Sequence, residues 1–578
     1  MGVKLAETAG FCMGVRRAVD IVLDIARAKG DEKIYTYGPL IHNPQTVELL
    51  KQRGIIPIDN IDDVDGGTII IRAHGISSQE RQKIKEKGMK IVDATCPRVA
   101  RVQSIIKKYA FLGYTVLIAG DKNHPEVIGL LGYSSGRGIV ISNKDEIDTL
   151  PELDKVCIVA QTTQTSGEYE ELTEKIKKRF PSATAFNTIC DSTEKRQAEI
   201  DTLASEMDAM IVVGGKNSAN TKRLAMISEG RGIPTFHIET VDELKKTGIN
   251  GYNNIGVSAG ASTPNWIIDR VIDHITQYRE EENQKSLKKL YKLWVSAVRT
   301  DIYSAIGAGF LSLVGTYVQN LKMNILNILI AALYVYSMHT INRLQDKKFG
   351  RIKGGFREES YVRHSNVYLS IGLISLISAL LFSFMNGLAS FALLFFISLL
   401  GLLYNIRVFP QEWSLKKIGD IPGSKTLFIA VAWAIVTVVI PQIEVSLKIH
   451  PSTVVAFMFV FTVVFAKSAL SDMIDIQSDR LVGRETIPVV IGEDNTKKLL
   501  TGISALMGIV LIGSFFGKHT SSLSLALLVS VFYIWICINL CVKKTRFAGV
   551  VLEGLLETNF VIAGLSTCLW IIVMKYVS

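Results

Sequence analysis

Long apolar runs are absent from the first 272 residues of this 578-residue chain, so nothing in that stretch is long enough to cross a hydrocarbon layer. That half reads as soluble. The first 30 residues carry charge throughout and lack both a continuous apolar core and a small-residue cleavage site, which predicts no signal peptide and keeps Cys12 in the mature protein. Cysteine is scarce: of the seven, Cys537, Cys541 and Cys568 lie in membrane-like segments, so no disulfide framework is indicated and reduced thiols in a cytosolic domain are the simpler reading. Nothing in residues 1–278 resembles a flavin or nicotinamide site, and a redox reaction there would need electrons from a separate carrier.

A chain of this length exceeds what one core supports, so at least two domains are expected. We place a soluble domain at 1–278, a charged linker at 279–299 and a membrane domain at 300–578. Beyond Asp301 apolar segments recur at roughly 302–318, 323–340, 368–386, 389–404, 426–442, 453–470, 499–515, 522–541 and 549–574. About nine spans follow, and an odd number puts the two ends of the membrane part on opposite sides. Of loops 341–367, 405–425, 471–498 and 542–548, the third is mixed in sign and the others concentrate Lys and Arg, including Arg343, Lys347, Lys416, Lys425 and Arg546, whereas the loops on the opposite side are short and carry few charges. The positive-inside rule then predicts a multi-pass protein of the cell membrane with its N-terminal domain in the cytoplasm. Much of the formal net charge of +10 is thereby a topology signal, and no nucleic-acid partner is needed to explain it.

In the soluble half one unit recurs: an extended apolar run, a turn with a special residue, then an amphipathic helix. Cys12, Cys96 and Cys190 occupy three such turns, ahead of helical patterns from Arg16, Arg98 and Ser192. Strand-like runs alternating with helical ones predict α/β organisation, in which three cysteines at equivalent points can converge on one centre. Three thiolates form an incomplete ligand set for an iron–sulfur cube, leaving one iron free for a substrate. Spacings of 84 and 94 residues match no short cluster motif, and a thiol ahead of a helix is as readily a packing residue or part of a zinc site. Cys157, inside an apolar strand run, reads as core. Other turns carry His42, His74, and His124 with Glu126; two polar glycine loops carry Gly214 to Asn220 and Ser258 to Pro264. Glycines let backbone amides approach an anion, and the histidine, serine and asparagine donors suit a diphosphate.

These stretches, from Gly10-Phe11-Cys12-Met13-Gly14-Val15 through Arg72-Ala73-His74-Gly75, Asp93-Ala94-Thr95-Cys96-Pro97, His124-Pro125-Glu126, Gln161-Thr162-Thr163 and Asn187-Thr188-Ile189-Cys190 to Ala259-Gly260-Ala261-Ser262, resemble the 4-hydroxy-3-methylbut-2-enyl diphosphate reductase family across the whole soluble half. The resemblance implies an α/β trefoil of three units around a central [4Fe–4S] cluster held by Cys12, Cys96 and Cys190. It implies that His42, His74, His124, Ser218, Asn220 and Ser262 grip the diphosphate, that Glu126 relays protons and that Thr162 helps hold the substrate hydroxyl. The products would be isopentenyl and dimethylallyl diphosphate, with electrons from a small redox protein such as a ferredoxin or flavodoxin. One departure stands out: Ala219 follows Ser218 where the family has a second serine, a loss of at most one hydrogen bond. A non-enzymatic alternative makes the soluble half an iron–sulfur sensor.

In the membrane half, Asp472, Asp475 and Asp479 follow a span at helical spacing, a geometry that can hold magnesium against a diphosphate. An earlier loop offers Asn342 and Asp346. With Gly483-Arg484-Glu485-Thr486-Ile487-Pro488, Tyr404-Asn405 and Leu415-Lys416, these residues resemble the intramembrane aromatic prenyltransferase superfamily. The resemblance implies an all-α bundle in which Asn342, Asp346, Asp472, Asp475 and Asp479 hold Mg²⁺ and an allylic diphosphate among membrane lipids. The family's first motif is Asn-Asp-x-x-Asp-x-x-x-Asp, and here Arg343 and Gly350 replace two of its carboxylates. Transfer of a prenyl group to an unidentified acceptor is therefore set against an inactive membrane anchor or isoprenoid carrier.

Overall fold

The computed structural model describes residues 2–28, 32–244, 248–282, 286–345, 361, 364–404, 406, 418–482, 484–542 and 549–577. They form two compact units, Met1–Ile275 and Thr276–Ser578.

The first unit contains three parallel four-stranded sheets. Their strands read as nearly unbroken apolar runs: Ile69–Ile71, Val156–Ala160 and Ala209–Val213 are fully or almost fully buried. Such runs suit parallel strands covered by helices on both faces, where the alternation of a half-exposed strand would leave polar groups dry. Each sheet repeats one order. In the first, Ile34–Tyr37 lies between Ile55–Ile58 and Thr68–Ile71, and Lys90–Asp93 closes the edge. In the second, Thr115–Ala119 lies between Gly138–Ile141 and Val156–Ala160, with Thr184–Phe186 at the edge. In the third, Ala209–Val213 lies between Thr235–Ile238 and Asn254–Ala259, and the edge strand is Gly2–Leu5 from the far end of the chain. The order second, first, third, fourth therefore holds three times, and the third layer is complete only because the N-terminus returns to it.

That repetition sorts the site residues by strand. His42, His124 and Ser218 follow first strands; His74, Thr162 and Ser262 follow third strands; Cys96, Cys190 and Cys12 follow fourth strands. All lie beyond strand carboxyl ends, where ligands of open α/β sheets bind.

The second unit is helical over the described residues, and all nine apolar segments anticipated from the sequence are helices. Seven are long and apolar enough to span a membrane: Ile325–Gln345, Ser365–Asn386, Ser424–Val445, Pro451–Ile474, Glu493–Phe516, Leu523–Cys541 and Val550–Tyr576. Among the described residues the expected nine becomes seven, or eight if Leu290–Arg299 and Ile302–Val318, bent by 86° at their junction, count as one span. The reason is length: Ile302–Val318 and Leu388–Leu403 rise only about 24–26 Å against a hydrocarbon core of about 30 Å.

The stretch taken from sequence as a charged linker is helical on both sides of residues 283–285, in Asn265–Glu282 and Ser286–Arg299. Val295 and Val298 of the latter are buried with Val550, while Leu290 and Leu293 are exposed, the two-sided pattern of a helix lying in a membrane interface. The elbow after it is built on Asp301, which has a left-handed backbone (φ 60°) and a fully buried side chain. Arg343 grips that carboxylate through Nε at 2.8 Å and Nη2 at 3.1 Å, and Tyr361 donates to it at 2.8 Å. The arginine that replaces a family carboxylate thus has a structural partner. Exchanging Arg343 for Met should remove the guanidinium from the buried Asp301 carboxylate and destabilise the second unit by about 3–5 kcal/mol, read as a lowered Tm of the detergent-solubilised chain; an unchanged Tm would dismiss the clamp.

Candidate active sites

Cys96 and Cys190 are the N-caps of the helices Pro97–Phe111 and Asp191–Glu206, and Cys12 directly precedes Met13–Ala28. Amides at a helix start stabilise thiolate over thiol. Val15 N donates to Cys12 Sγ at 3.4 Å, and the amides of Arg98 and Val99, and of Ser192 and Thr193, serve the other two. Burial works the other way and raises the Cys96 and Cys190 thiols, with mutual repulsion among the three sulfurs adding to it. Gly14 keeps the thiol chamber open, since a Cβ there would come within 2.6 Å of Cys96 Sγ and 3.9 Å of Cys12 Sγ. Three clustered soft donors met by helix amides fit a group that binds thiolates.

Two sets of contacts fix this arrangement. Each cysteine N–H donates to the loop after its own unit's third strand: Cys96 to Ala73 O at 2.9 Å, Cys190 to Thr162 O at 2.9 Å and Cys12 to Ala261 O at 3.1 Å. An arginine from each cysteine-led helix then reaches the next cysteine turn. Arg17 Nη1 donates to Thr95 O at 2.9 Å, Arg98 pairs with Asp191, and Arg196 donates to Gly10 O at 2.6 Å and Ala259 O at 3.0 Å. The clasps run in a ring from Cys12 to Cys96 to Cys190 and back.

His42, His74 and His124 converge with ring centroids 4.6–5.7 Å apart, close enough for one nitrogen of each to meet a shared ion. Burial lowers all three, His124 to about 4 and His74 well below its usual value, with Arg72 and the other rings adding repulsion. They are neutral at pH 7. His124 caps Pro125–Leu131 by accepting from Glu126 N at Nδ1 (3.1 Å), so the proton of its neutral ring sits on Nε2. That nitrogen is a donor with no lone pair for a metal, and the trio fits an anion better than zinc. Among the described residues, His42 Nε2, His74 Nδ1 and both polar atoms of Asn220 are buried without a partner, the mark of a site built for a polar ligand.

The third unit completes the pocket. Ser262 Oγ lies 3.3 Å from His42 O, and a Cβ on Gly215 would strike that same carbonyl at 2.6 Å, so both glycine loops pack on the His42 turn. Ser218 caps Ala219–Gly230. Ala219 and Asn220 hold the first helical positions, whose amides have no intrahelical acceptor and stay available to an anion despite the missing serine. Glu126, 1% exposed, accepts from Thr162 N at 2.7 Å and Thr162 Oγ1 at 2.8 Å, and burial raises its pKa.

The membrane unit gathers a second site. Asp472 accepts from Lys425 Nζ at 3.1 Å and Thr426 Oγ1 at 2.7 Å. The long helix closes at Ile474, Asp475 caps it, and Asp479 sits in the next helix, Ile476–Val482. Burial first, then Asp472 and Asp475, push the Asp479 carboxyl up to about 7 against Lys425 and Arg484, which places these groups around one point. Asn342 Oδ1 is buried without a partner among the described residues. Asp346, Gly350, Asn405, Leu415, Lys416 and Gly483 lie outside the described residues.

Comparison with known proteins joins these two sites to two families. The family described as LytB protein matches residues 3–276. A 4-hydroxy-3-methylbut-2-enyl diphosphate reductase of Caldanaerobacter subterraneus is 40% identical over 288 residues, covering 49% of this chain and 100% of the relative. The chain belongs to the LytB family. The Aquifex aeolicus reductase is 43% identical over 279 residues, covering 48% of this chain and 96% of the relative. A solved (E)-4-hydroxy-3-methyl-but-2-enyl diphosphate reductase is 42% identical and covers 48% of this chain and 100% of its own, with a TM-score of 0.38. The UbiA prenyltransferase family matches residues 302–573, so a UbiA domain follows the LytB domain.

Sequence reading missed the LytB domain's arginines. Arg196, 4% exposed, and Arg223, which bridges Asp121 at 3.1 Å and Gln164 Oε1 at 2.7 Å, sit on helices where arginine normally faces water. Their places one to two turns after Cys190 and Ser218 were the available signal. Arg196→Met should remove two charged hydrogen bonds, about 1.5–3 kcal/mol each, whereas Arg17→Met, at an exposed position, should cost about 1 kcal/mol or less; equal losses on chemical denaturation would refute the ranking. Histidine burial sets a pH signature. Because the folded pKa of His124 is depressed, its stability contribution is complete above about pH 6.5 and is lost as pH falls toward 4, on the order of 3 kcal/mol. Denaturation from pH 7 to 4 should be less steep for His124→Gln than for the parent, and parallel curves would contradict it.

Proposed function

We infer that the LytB domain reduces 4-hydroxy-3-methylbut-2-enyl diphosphate to isopentenyl and dimethylallyl diphosphate, and that the UbiA domain transfers a prenyl group to an acceptor. The observation that carries the first reading is the convergence of three thiols, three neutral histidines and the Glu126–Thr162 pair beyond the strand ends of one three-layered unit. Cys12, Cys96 and Cys190 would hold a [4Fe–4S] cluster, which when bound supplies electrons and an open iron as Lewis acid for the substrate's C4 hydroxyl. His42, His74, His124, Ser218, Asn220 and Ser262 offer donors to the diphosphate, whose charge would raise the histidine pKa values and draw protons onto the rings. Burial raises the Glu126 pKa and so favours its protonated form, from which Thr162 Oγ1 at 2.8 Å would relay a proton to the hydroxyl. Two electrons and two protons turn that hydroxyl into water and leave a C–H bond at one end of the allyl unit. A small ferredoxin- or flavodoxin-like protein brings the electrons, with this domain on the cytoplasmic side.

In the UbiA domain Asn342, Asp346, Asp472, Asp475 and Asp479 are the groups for Mg²⁺ and the prenyl diphosphate, supported by the buried acidic cluster around Asp479. A carrier or anchor that kept the fold is the second reading, favoured by Lys425, whose ammonium already pairs with Asp472.

The full chain, purified anaerobically in detergent, should convert the hydroxylated diphosphate to both five-carbon products. Cys96→Ser should abolish turnover, and Glu126→Gln should slow it by about 10²-fold or more with substrate still bound; unaltered turnover in either would remove that residue from the site. Membranes given labelled prenyl diphosphate and a lipid extract should form labelled lipid only with Mg²⁺, and no product under any condition would leave the carrier reading.

A further inference from the structure

A second polar layer lies deeper in the UbiA domain than the acidic site and is not used by it. Glu557, 1% exposed, stands in the helix Gly549–Val577. Its Oε1 accepts from Ser304 Oγ at 2.6 Å and from Lys467 Nζ at 3.1 Å. Its Oε2 is buried with no hydrogen-bond partner among the described residues. Beside this group, the His339 ring lies 5.8 Å from Trp433, which lies 5.0 Å from Phe560, one turn beyond Glu557. A half-satisfied carboxylate within a membrane span is expensive to keep, and such groups mark where a substrate or ion is met.

The depth is informative. Asp472 and Asn342 stand two and three residues from the ends of their helices, Lys467 and His339 seven and six. The second layer is therefore about 5–8 Å further into the bundle. A nucleophile displacing diphosphate from an allylic carbon approaches from the side opposite the leaving group. With the diphosphate held at the acidic layer, that side is the layer of Glu557.

We propose that Glu557 binds the acceptor of this domain and takes its proton, and that the acceptor is a membrane-soluble molecule carrying a hydroxyl group. Resting on the transfer reading above, the step is a substitution: the acceptor oxygen bonds to the allylic carbon, the carbon–oxygen bond to diphosphate breaks, the hydroxyl proton goes to Glu557 Oε2, and diphosphate leaves with the bonding pair. Lys467 and Ser304 hold the other carboxylate oxygen, so only one is offered. A carboxylate accepts hydrogen bonds and donates none, which selects a protic acceptor and repels one that carries its own carboxylate nearby.

The test uses the full chain in liposomes with dodecan-1-ol, dodecane and dodecanoate as probes. Dodecan-1-ol should raise the Tm, whereas dodecane and dodecanoate should not. With labelled dimethylallyl diphosphate and Mg²⁺ it should yield the dodecyl prenyl ether. Glu557→Gln should slow ether formation by about 10²-fold or more with the labelled diphosphate still bound. Because the pair could serve packing alone, the double variant Lys467→Met/Glu557→Leu separates the roles: its Tm should stay near that of the parent while the alcohol-induced shift and the ether are lost. Ether formed by the double variant at the parent rate would overturn the proposal and leave the transfer reading standing. A Glu557-dependent alcohol shift with no ether from the parent would keep the hydroxyl site and overturn transfer.

Discussion

The backbone N–H of each of Cys12, Cys96 and Cys190 is hydrogen-bonded to the loop that follows its own unit's third strand, and the joint arrangement of thiols and histidine pocket depends on that link. Ala73, Thr162 and Ala261 supply the three carbonyls. Each is in, or next to, a residue assigned to the substrate: His74, Thr162 itself and Ser262. The thiol chamber and the histidine pocket are therefore tied by one backbone bond per unit. Parallel pairing makes this possible, because third and fourth strands run side by side and release their loops at the same end.

Charge is arranged around the same frame. Neutral histidines line the pocket because burial and the nearby Arg72 make their protonation costly, and a diphosphate would reverse that balance by bringing its own negative charge. Glu126 is tuned oppositely by the same burial, toward the protonated form a proton donor needs. One low-dielectric site thus lowers the pKa of three bases and raises that of one acid. The arginine ring supplies cations beside the thiols through guanidinium groups pinned to carbonyls and one carboxylate, so positive charge is present without an open ligand position.

The UbiA domain spends its buried charges differently. Arg343 is fixed to Asp301 at the elbow between the interfacial helix and the first apolar helix. Lys425 is set against Asp472, and Lys467 against Glu557. In two of the pairs a cation on one helix meets an acid on another, and in the first the acid sits at the elbow, which locks the bundle where lipid gives no hydrophobic drive between helices. The pairs are unequally complete, and of these three acids Glu557 is the one whose second oxygen has no partner among the described residues.

By itself the sequence determined the division into a soluble and a membrane half, the α/β character of the first, the apolar segments of the second and the chemistry-bearing turns. These are local properties: apolar run length, cap residues such as Asn43 and Ser77, and glycine loops act over a few residues. Only the tertiary structure decided what meets what. Cysteines 84 and 94 residues apart share a chamber because three sheets repeat one strand order, and the third is finished by Gly2–Leu5 pairing with Asn254–Ala259 across the chain. The partners of Arg196, Arg343 and Glu557 were illegible for the same reason, since a charged residue in a helical pattern looks the same whether it faces water or a buried partner elsewhere in the chain. Span count and the interfacial helix also needed the fold, because hydropathy measures how apolar a segment is, and helix ends and bends decide whether it crosses.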